Sequence, residues 1–151
     1  MSFRFRAAAL LDLRRKQLED ARAILAHTQQ ALADASRALD HACAARDRAE
    51  VQFQAALVAG VDGGEVERHR NWITLQKTVV NRRGEAREAC QLAVTQAAAV
   101  VMDRRRQVRV LERLRERALR RYEAEMRRRE MKEIDLFATL KHARRIVDRE
   151  T

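Results

Sequence analysis

The stretch AGVDGGE at residues 59–65 divides this chain into two helical patterns. Three of the chain's four glycines surround Asp62 there, and such a cluster is a strong turn signal because glycine adopts backbone conformations that other residues avoid. Acidic residues follow at Glu65 and Glu67, where they stabilise the first turn of a helix. The stretch therefore predicts a turn at residues 60–64 that leads directly into a new helix.

The residues on both sides of this turn have the composition of long helices. The chain has 151 residues, of which 36% are charged and only 4% are aromatic, and it contains no proline. A chain rich in alanine, leucine, glutamate and arginine is typical of a coiled coil. We predict one coiled-coil domain over residues 1–151, with helices at 4–59 and 65–148. Gly84 lies within the second pattern, and we interpret it as a point of close helix approach or a locally weak position.

Both predicted helices carry a series with the seven-residue repeat of a coiled-coil seam. In the first helix the series breaks only at Arg46 and otherwise consists of Leu11, Leu18, Leu25, Leu32, Leu39 and Phe53. In the second helix it consists of Trp72, Val79, Ala86, Ala93, Val100, Gln107 and Leu114. Each stripe needs a partner, because helices gain most of their stability by packing an apolar face.

The leucine stripe has three possible partners: a second copy, another protein, or the second helix of the same chain. Folding back at the glycine cluster places Phe53 opposite Trp72 and Leu39 opposite Ala86, so that large side chains mostly face smaller ones. Alanines at the intervening positions of the first helix suit an antiparallel hairpin. We predict an all-α fold, a long antiparallel two-helix coiled-coil hairpin, in which Trp72 closes the seam against Phe53 or forms a contact at the tip.

The second predicted helix is longer than the first, so its C-terminal end overhangs. In this register the first helix ends opposite about Leu119, which leaves residues 120–148 without an intrachain partner. Large apolar residues are spread along this overhang. It is therefore either a docking surface or a segment that frays or packs on a second copy.

The sequence contains no group of residues typical of catalysis. Histidines and carboxylates are dispersed, and neither a phosphate-binding glycine loop nor a nucleophile motif is present. We expect no enzyme activity, no cofactor and no metal. Cys43 and Cys90 lie within the helical patterns and favour buried thiols over a disulfide. The N-terminal residues lack a secretory signal, and no run reaches membrane-spanning length, which favours a cytoplasmic protein.

The net charge of +10 is concentrated in one segment. Residues 103–130 hold twelve arginines against six acidic residues. One interpretation is a solvated helix face, in which Glu112 and Glu116 pair with arginines one turn away. Another is a collective basic surface that enters a negatively charged hole or groove. Nonspecific phosphate binding is less favoured, because aromatic residues do not alternate with the arginines and base stacking has little to use.

Three segments of the chain are similar to members of the flagellar export protein FliJ family. They are the opening FRFRAAALLDLRRKQLEDARAILA at 3–26, NWITLQKTVVNR at 71–82 after the glycine turn, and EMRRREMKEIDLFATLKHARR at 125–145. The position of the turn and the chain length agree as well. The resemblance therefore covers nearly the whole chain.

This resemblance implies a soluble component of the flagellar type III export apparatus, built like the central stalk of rotary ATP synthases. It implies binding to the export ATPase hexamer, contact with the cytoplasmic domain of the export gate, and escort of export chaperones. Such a protein is cytoplasmic and peripherally associated with the inner-membrane apparatus. The alternatives are the equivalent stalk protein of a virulence injectisome and a basic coiled-coil protein associated with nucleic acid.

Within this role, each end of the hairpin has its own expected partner. The basic end, where the two chain termini meet, is expected to hold the ATPase through Arg113, Arg117, Arg120 and Arg121. The half nearer the glycine turn is expected to contact the gate through Arg46, Phe53 and Trp72.

Overall fold

Two helices account for nearly all of the described chain. A computed structural model describes residues 3–150, with the side chains of all of these except 143 and 145–150. Helix α1 spans Ala8–Ala59 and helix α2 spans Gly63–Glu150. They pack against each other as a two-helix hairpin, and the described residues contain no strand. The predicted all-α hairpin is therefore confirmed, although α1 begins later than residue 4 and α2 begins before residue 65.

The turn between the helices is shorter than predicted and is closed by two capping contacts. Gly60 has φ of 81°, and its N–H donates to the Leu57 carbonyl at 3.3 Å. This left-handed conformation ends α1 and favours glycine, which has no Cβ to strain. The Asp62 carboxylate then accepts a hydrogen bond from the backbone N–H of Glu65 at 2.7 Å. Asp62 therefore caps the first turn of α2, which satisfies a backbone donor that has no partner within the helix.

The chain divides into two compact units, which are described separately below. The terminal unit consists of Met1–Lys16 and Arg106–Thr151. The turn unit consists of Gln17–Arg105 and contains the glycine turn. Each unit contains a segment of α1 and a segment of α2. The single domain over residues 1–151 stays a prediction.

The α1 side of the seam follows the predicted heptads. Leu11 in the terminal unit and Leu18 in the turn unit are buried, and the later members of the leucine series are half-buried. The intervening positions hold small buried residues, which are Ala21, Ala42 and Ala49. Small residues between the large ones let α2 approach closely, as expected for an antiparallel pair.

The α2 side of the seam lies one residue later than predicted. The buried residues are Ile73, Val101 and Val108, whereas Trp72 and Val100 are about half exposed. The predicted series from Trp72 to Leu114 is therefore wrong as a seam, although the fold-back itself is correct. In the turn unit, for example, Lys77 on α2 forms an ion pair with Glu50 on α1 at 3.5 Å.

The physical reason lies in the composition of the two candidate rows. The row that begins at Ile73 has valine at positions 94 and 108, where the row that begins at Trp72 has Ala93 and Gln107. Val108 is 6% exposed. Placing a glutamine there without hydrogen-bond partners would cost on the order of 1–3 kcal/mol and would bury less apolar area. The α2 helix therefore turns its larger apolar row inward.

Gly84 does not mark a close approach of the two helices. The α2 helix continues through it, and a Cβ built at this position meets no atom within 4 Å. The close-approach interpretation is therefore wrong. What remains is the ordinary helix-weakening effect of glycine, about 1 kcal/mol relative to alanine.

Cys43 and Cys90 are free thiols and half-buried rather than fully buried. Within the described residues, neither helix contains a segment long and apolar enough to span a bilayer.

Candidate interaction surfaces

The net charge of the chain belongs entirely to the terminal unit. Its residues include twenty lysines and arginines against ten acidic residues, which gives +10. The turn unit has twelve of each and is neutral. An excess of this size on one unit attracts anionic partners over distances of about 10 Å at physiological salt. The terminal unit is therefore the candidate surface for an acidic partner.

The four arginines expected at the ATPase lie on the exposed side of α2 in this unit. Arg113, Arg117, Arg120 and Arg121 are all exposed. They recur at intervals of three and four residues, which places them on one face of a helix. None forms an ion pair within 4 Å with another described residue. Their guanidinium groups are therefore available to a partner.

The face opposite these arginines is fixed by two contacts that the sequence did not reveal. Arg15 on α1 donates to Glu112 at 2.9 Å, and the rings of Phe3 and Tyr122 lie 5.7 Å apart between centroids. Glu112 was interpreted as a partner for nearby arginines on its own helix, but it bonds across to α1 instead. Only the folded pairing of the termini brings these groups together, so no sequence signal identifies them.

The overhang of α2 begins later than predicted, because the residues before α1 extend the paired region. Phe3 covers Tyr122, and Met126 is half-buried. Every described side chain from 127 to 144 is exposed. The large apolar residues of this overhang are more than half exposed and consist of Met131, Ile134, Leu136, Phe137 and Leu140. The part of the predicted overhang at residues 145–148 lies outside the described side chains.

The exposed apolar residues of the overhang do not share one face. Ile134 and Leu136 are two residues apart, so they point in nearly opposite directions from an α-helix, whose residues turn by about 100° each. Charged residues separate these apolar side chains, so the helix has no single apolar face. A partner that covers all of them has to contact the helix on several sides.

In the turn unit, Arg46 occupies the gap in the leucine series. Its guanidinium donates twice to Asp47 Oδ1, at 2.9 Å from Nε and 2.6 Å from Nη2. These hydrogen bonds and the adjacent negative charge raise the pKa of Arg46 above its ordinary value. Asp47 therefore already takes up part of the hydrogen-bonding capacity of Arg46.

Phe53 and Trp72 do not pack as the predicted pair. The Phe53 ring lies 5.7 Å from the ring of His69, and Trp72 is 51% exposed on the side of α2. The interpretation of Trp72 as the residue that closes the seam is therefore wrong. An exposed tryptophan is a favourable anchor for a partner, since tryptophan is enriched at the energetic centres of interfaces.

Phe53 also borders an open groove in the turn unit. The groove has a volume of about 810 Å³ and includes Asp47, Glu50, Ile73 and Lys77 among its lining residues. Trp72 does not line it but borders a smaller groove of about 290 Å³ with Arg68 and His69. The three residues expected at the gate therefore lie in one unit, and Phe53 and Trp72 border different grooves of it.

Surfaces rather than an enclosed centre are the candidate functional features of this protein. Within the described part of the chain, no group of three or more His, Cys, Asp or Glu side chains is placed to hold a metal ion. The grooves are open to solvent, and the described residues include no buried side-chain N or O atom that lacks a hydrogen-bond partner.

Comparison with protein families gives a match that extends over most of the chain. The sequence model described as "Flagellar FliJ protein" matches residues 3–146, which include both helices and the turn. Comparison with curated proteins and with solved structures gives no match. Since the match covers nearly the full length and fits an all-helical hairpin, the chain belongs to the flagellar FliJ family and is a component of the flagellar type III export apparatus.

Proposed function

We propose that this chain is the coiled-coil stalk that holds the export ATPase ring with its terminal unit. In the same proposal, the turn unit contacts the cytoplasmic domain of the export gate, and the protein escorts export chaperones to the apparatus. It acts in the cytoplasm, peripherally associated with the inner-membrane machinery. Membership of the FliJ family supports the export role, and chaperone escort rests on that membership alone.

One observation above all supports the contact with the ATPase: the whole net charge of +10 lies in the terminal unit. The four exposed arginines on α2 supply part of this charge and form no ion pair with another side chain that the structure describes. The overhang beside them exposes apolar residues on several sides of the helix, which suits enclosure by a ring. Electrostatic attraction brings the partner close, and the apolar residues contribute the buried contact area.

Charge reversal of the four arginines tests the ATPase contact. We expect the variant R113E/R117E/R120E/R121E to bind the purified ATPase hexamer about tenfold or more weakly, because each reversal replaces attraction by repulsion. Stimulation of ATP hydrolysis should fall with binding. The affinity is measured by fluorescence titration at two salt concentrations, and the wild-type affinity should decrease as salt increases.

A matched control variant distinguishes the effect of this surface from the effect of the total charge. The variant R70E/R82E/R83E/R87E makes the same change in total charge on exposed arginines of the turn unit. It should bind the hexamer nearly as well as the wild type. Equal binding by the terminal-unit variant and the wild type would remove the proposed contact. Equal losses in both variants would show that only the total charge matters, which also contradicts it.

For the gate, the exposed Trp72 is the most accessible of the three expected residues. Replacing Trp72 by alanine should weaken binding of the turn unit to the gate domain about tenfold, as is common for tryptophan anchors. The matched control is Leu92→Ala, because Leu92 is 59% exposed on the same helix. It lies twenty residues beyond Trp72 and so points to nearly the opposite side, since each residue of an α-helix turns by about 100°. Binding is measured by titration calorimetry, and a Trp72→Ala variant with wild-type affinity would exclude Trp72 from the gate contact.

A further inference from the structure

The turn unit carries a second apolar row beside its buried seam, which we call the lateral stripe. On α1 it consists of Ile24, Ala31, Ala38 and Ala45. On α2 it consists of Trp72, Val79, Ala86, Ala93 and Val100. Seven-residue spacing keeps each row on one side of its helix, directly next to the seam. Ile24 and Val100 line the same groove, so the two rows lie on the same side of the hairpin.

The lateral stripe is substantially open to solvent. Of its four large residues, Ile24 is 60%, Trp72 51% and Val100 49% exposed, and Val79 is half-buried. The other side of the turn unit is mixed. It carries polar residues such as Gln29 and Gln91, and its groove beside the ion pair of Glu50 and Lys77 includes the exposed Val51. Only the stripe is a continuous apolar row with seven-residue spacing, which is typical of a surface that another protein covers.

The pattern indicates how many helices this unit needs to be fully covered. A two-stranded coiled coil uses two apolar positions of every seven. On α1 the stripe adds a third, directly before the seam residues Leu25, Leu32 and Leu39. Three apolar positions of seven are typical of a bundle with more than two helices. The segment of α1 in the turn unit therefore has the pattern of a helix with more than one neighbour.

The stripe on α2 can pack against the same stripe of a second copy that runs in the opposite direction. If α2 packs antiparallel against α2 of a second copy with Ala86 on the twofold axis, Val79 faces Ala93 of the second copy. Trp72 then faces Val100 of the second copy, at the groove of about 280 Å³ that Val100 and Ile24 line. The smallest residue thus lies at the centre, where the helices approach most closely, and the largest meets an open groove.

The charges beside the stripe favour the same arrangement. In that register, Arg68 lies opposite Asp103 of the second copy, and the pair occurs twice because a twofold interface repeats each contact. Arg68 is highly exposed and has only a 3.6 Å ion pair with Glu65 on its own helix, so it can reach across. The turn unit is also neutral, so two copies do not repel each other. A parallel arrangement would instead place Asp103 near Asp20 of the second copy.

From the stripe, the groove and the flanking charges, we propose that the turn unit forms a twofold antiparallel homodimer through the lateral stripe. The occupant of the stripe is a second copy of this chain. The interface would cover Trp72, so the dimer and a complex in which Trp72 anchors another protein exclude each other. The dimer does not depend on the proposed ATPase contact, and it is tested with the purified chain alone.

Cysteine crosslinking tests the position of the twofold axis. In full-length protein with Cys43→Ser and Cys90→Ser, the added substitution Ala86→Cys should give a covalent dimer under mild oxidation, because the two sulfurs meet at the axis. The control is Gln91→Cys, an equally exposed position on the polar side of the same helix. Rapid dimer formation by Ala86→Cys alone is the expected result. Equal rates for both variants, or no dimer from Ala86→Cys, would overturn the proposed interface.

A charge swap tests the register and identifies the partner. By light scattering and sedimentation, the wild type should be dimeric, and Arg68→Asp should weaken the dimer about tenfold. The double variant R68D/D103R should regain the lost affinity, because both pairs are restored with opposite sign. A wild type that stays monomeric at concentrations on the order of 100 μM, or a double variant as weak as the single one, would overturn the proposal. Circular dichroism confirms that each variant is still helical.

Discussion

Replacing Val101 by aspartate is expected to lower the free energy of unfolding by about 3–5 kcal/mol, since it puts a charge into the seam without a partner. The same substitution one residue earlier, Val100→Asp, should cost less than about 1 kcal/mol. The two valines are chemically identical neighbours, but Val101 is 9% exposed and Val100 is 49% exposed. The comparison therefore isolates burial from residue type.

Urea unfolding followed by circular dichroism measures both variants. The protein concentration is kept low, so that any self-association through the lateral stripe does not contribute to stability. Equal destabilisation by the two substitutions would mean that both valines are buried alike. A larger effect at Val100 would show that α2 uses the Trp72 series as its seam, as the heptad count from the sequence suggested.

In the terminal unit, Leu11→Ala should cost about 2–4 kcal/mol, because it removes most of a buried side chain and leaves a cavity. Leu11 is 3% exposed, whereas Leu13, two residues away on the same helix, is 50% exposed. Leu13→Ala is therefore the control and should change stability by about 0.5 kcal/mol or less. Thermal and urea unfolding give the two values.

Hydrogen exchange shows which part of the chain the Leu11→Ala substitution destabilises. Amides around Leu11 and around Val108, which is also buried in this unit, should exchange faster in the Leu11→Ala variant. Amides near the glycine turn should be much less affected. A Leu11→Ala variant as stable as Leu13→Ala would contradict the packing of α1 in the terminal unit.

The sequence predicted the turn and the α1 seam correctly because both depend on local signals. Gly60 is required by its positive φ, and Asp62 caps the helix that follows it. The leucines of α1 leave only one possible stripe, since the residues beside them are mostly polar or small. These features need no knowledge of the partner helix.

The α2 seam could not be predicted in the same way, because α2 has adjacent apolar pairs. Trp72–Ile73, Val79–Val80 and Val100–Val101 each offer two candidates for one seam position. Both rows have the seven-residue spacing of a coiled-coil seam. Comparing the two rows residue by residue would have favoured Ile73 and Val101, because their row has Val108 where the other has Gln107.

For the candidate surfaces, the sequence patterns predicted which arginines are exposed but not which residues contact each other. The arginines at 113, 117, 120 and 121 are exposed, as the sequence pattern suggested, and their role at the ATPase stays a proposal. Trp72 was assigned to the wrong side of its helix. The contacts of Phe3 with Tyr122 and of Arg15 with Glu112 join residues about a hundred positions apart, which no local pattern relates.

The amino-acid sequence by itself determined that this chain forms two helices, where it reverses, and that its positive charge is uneven. Those properties follow from glycine's conformational freedom, heptad spacing and composition, which act locally. Only the tertiary structure decided which of two neighbouring apolar rows on α2 is buried and which is left at the surface. That choice depends on what both helices together place in the seam, since a buried polar residue costs more than an exposed apolar one.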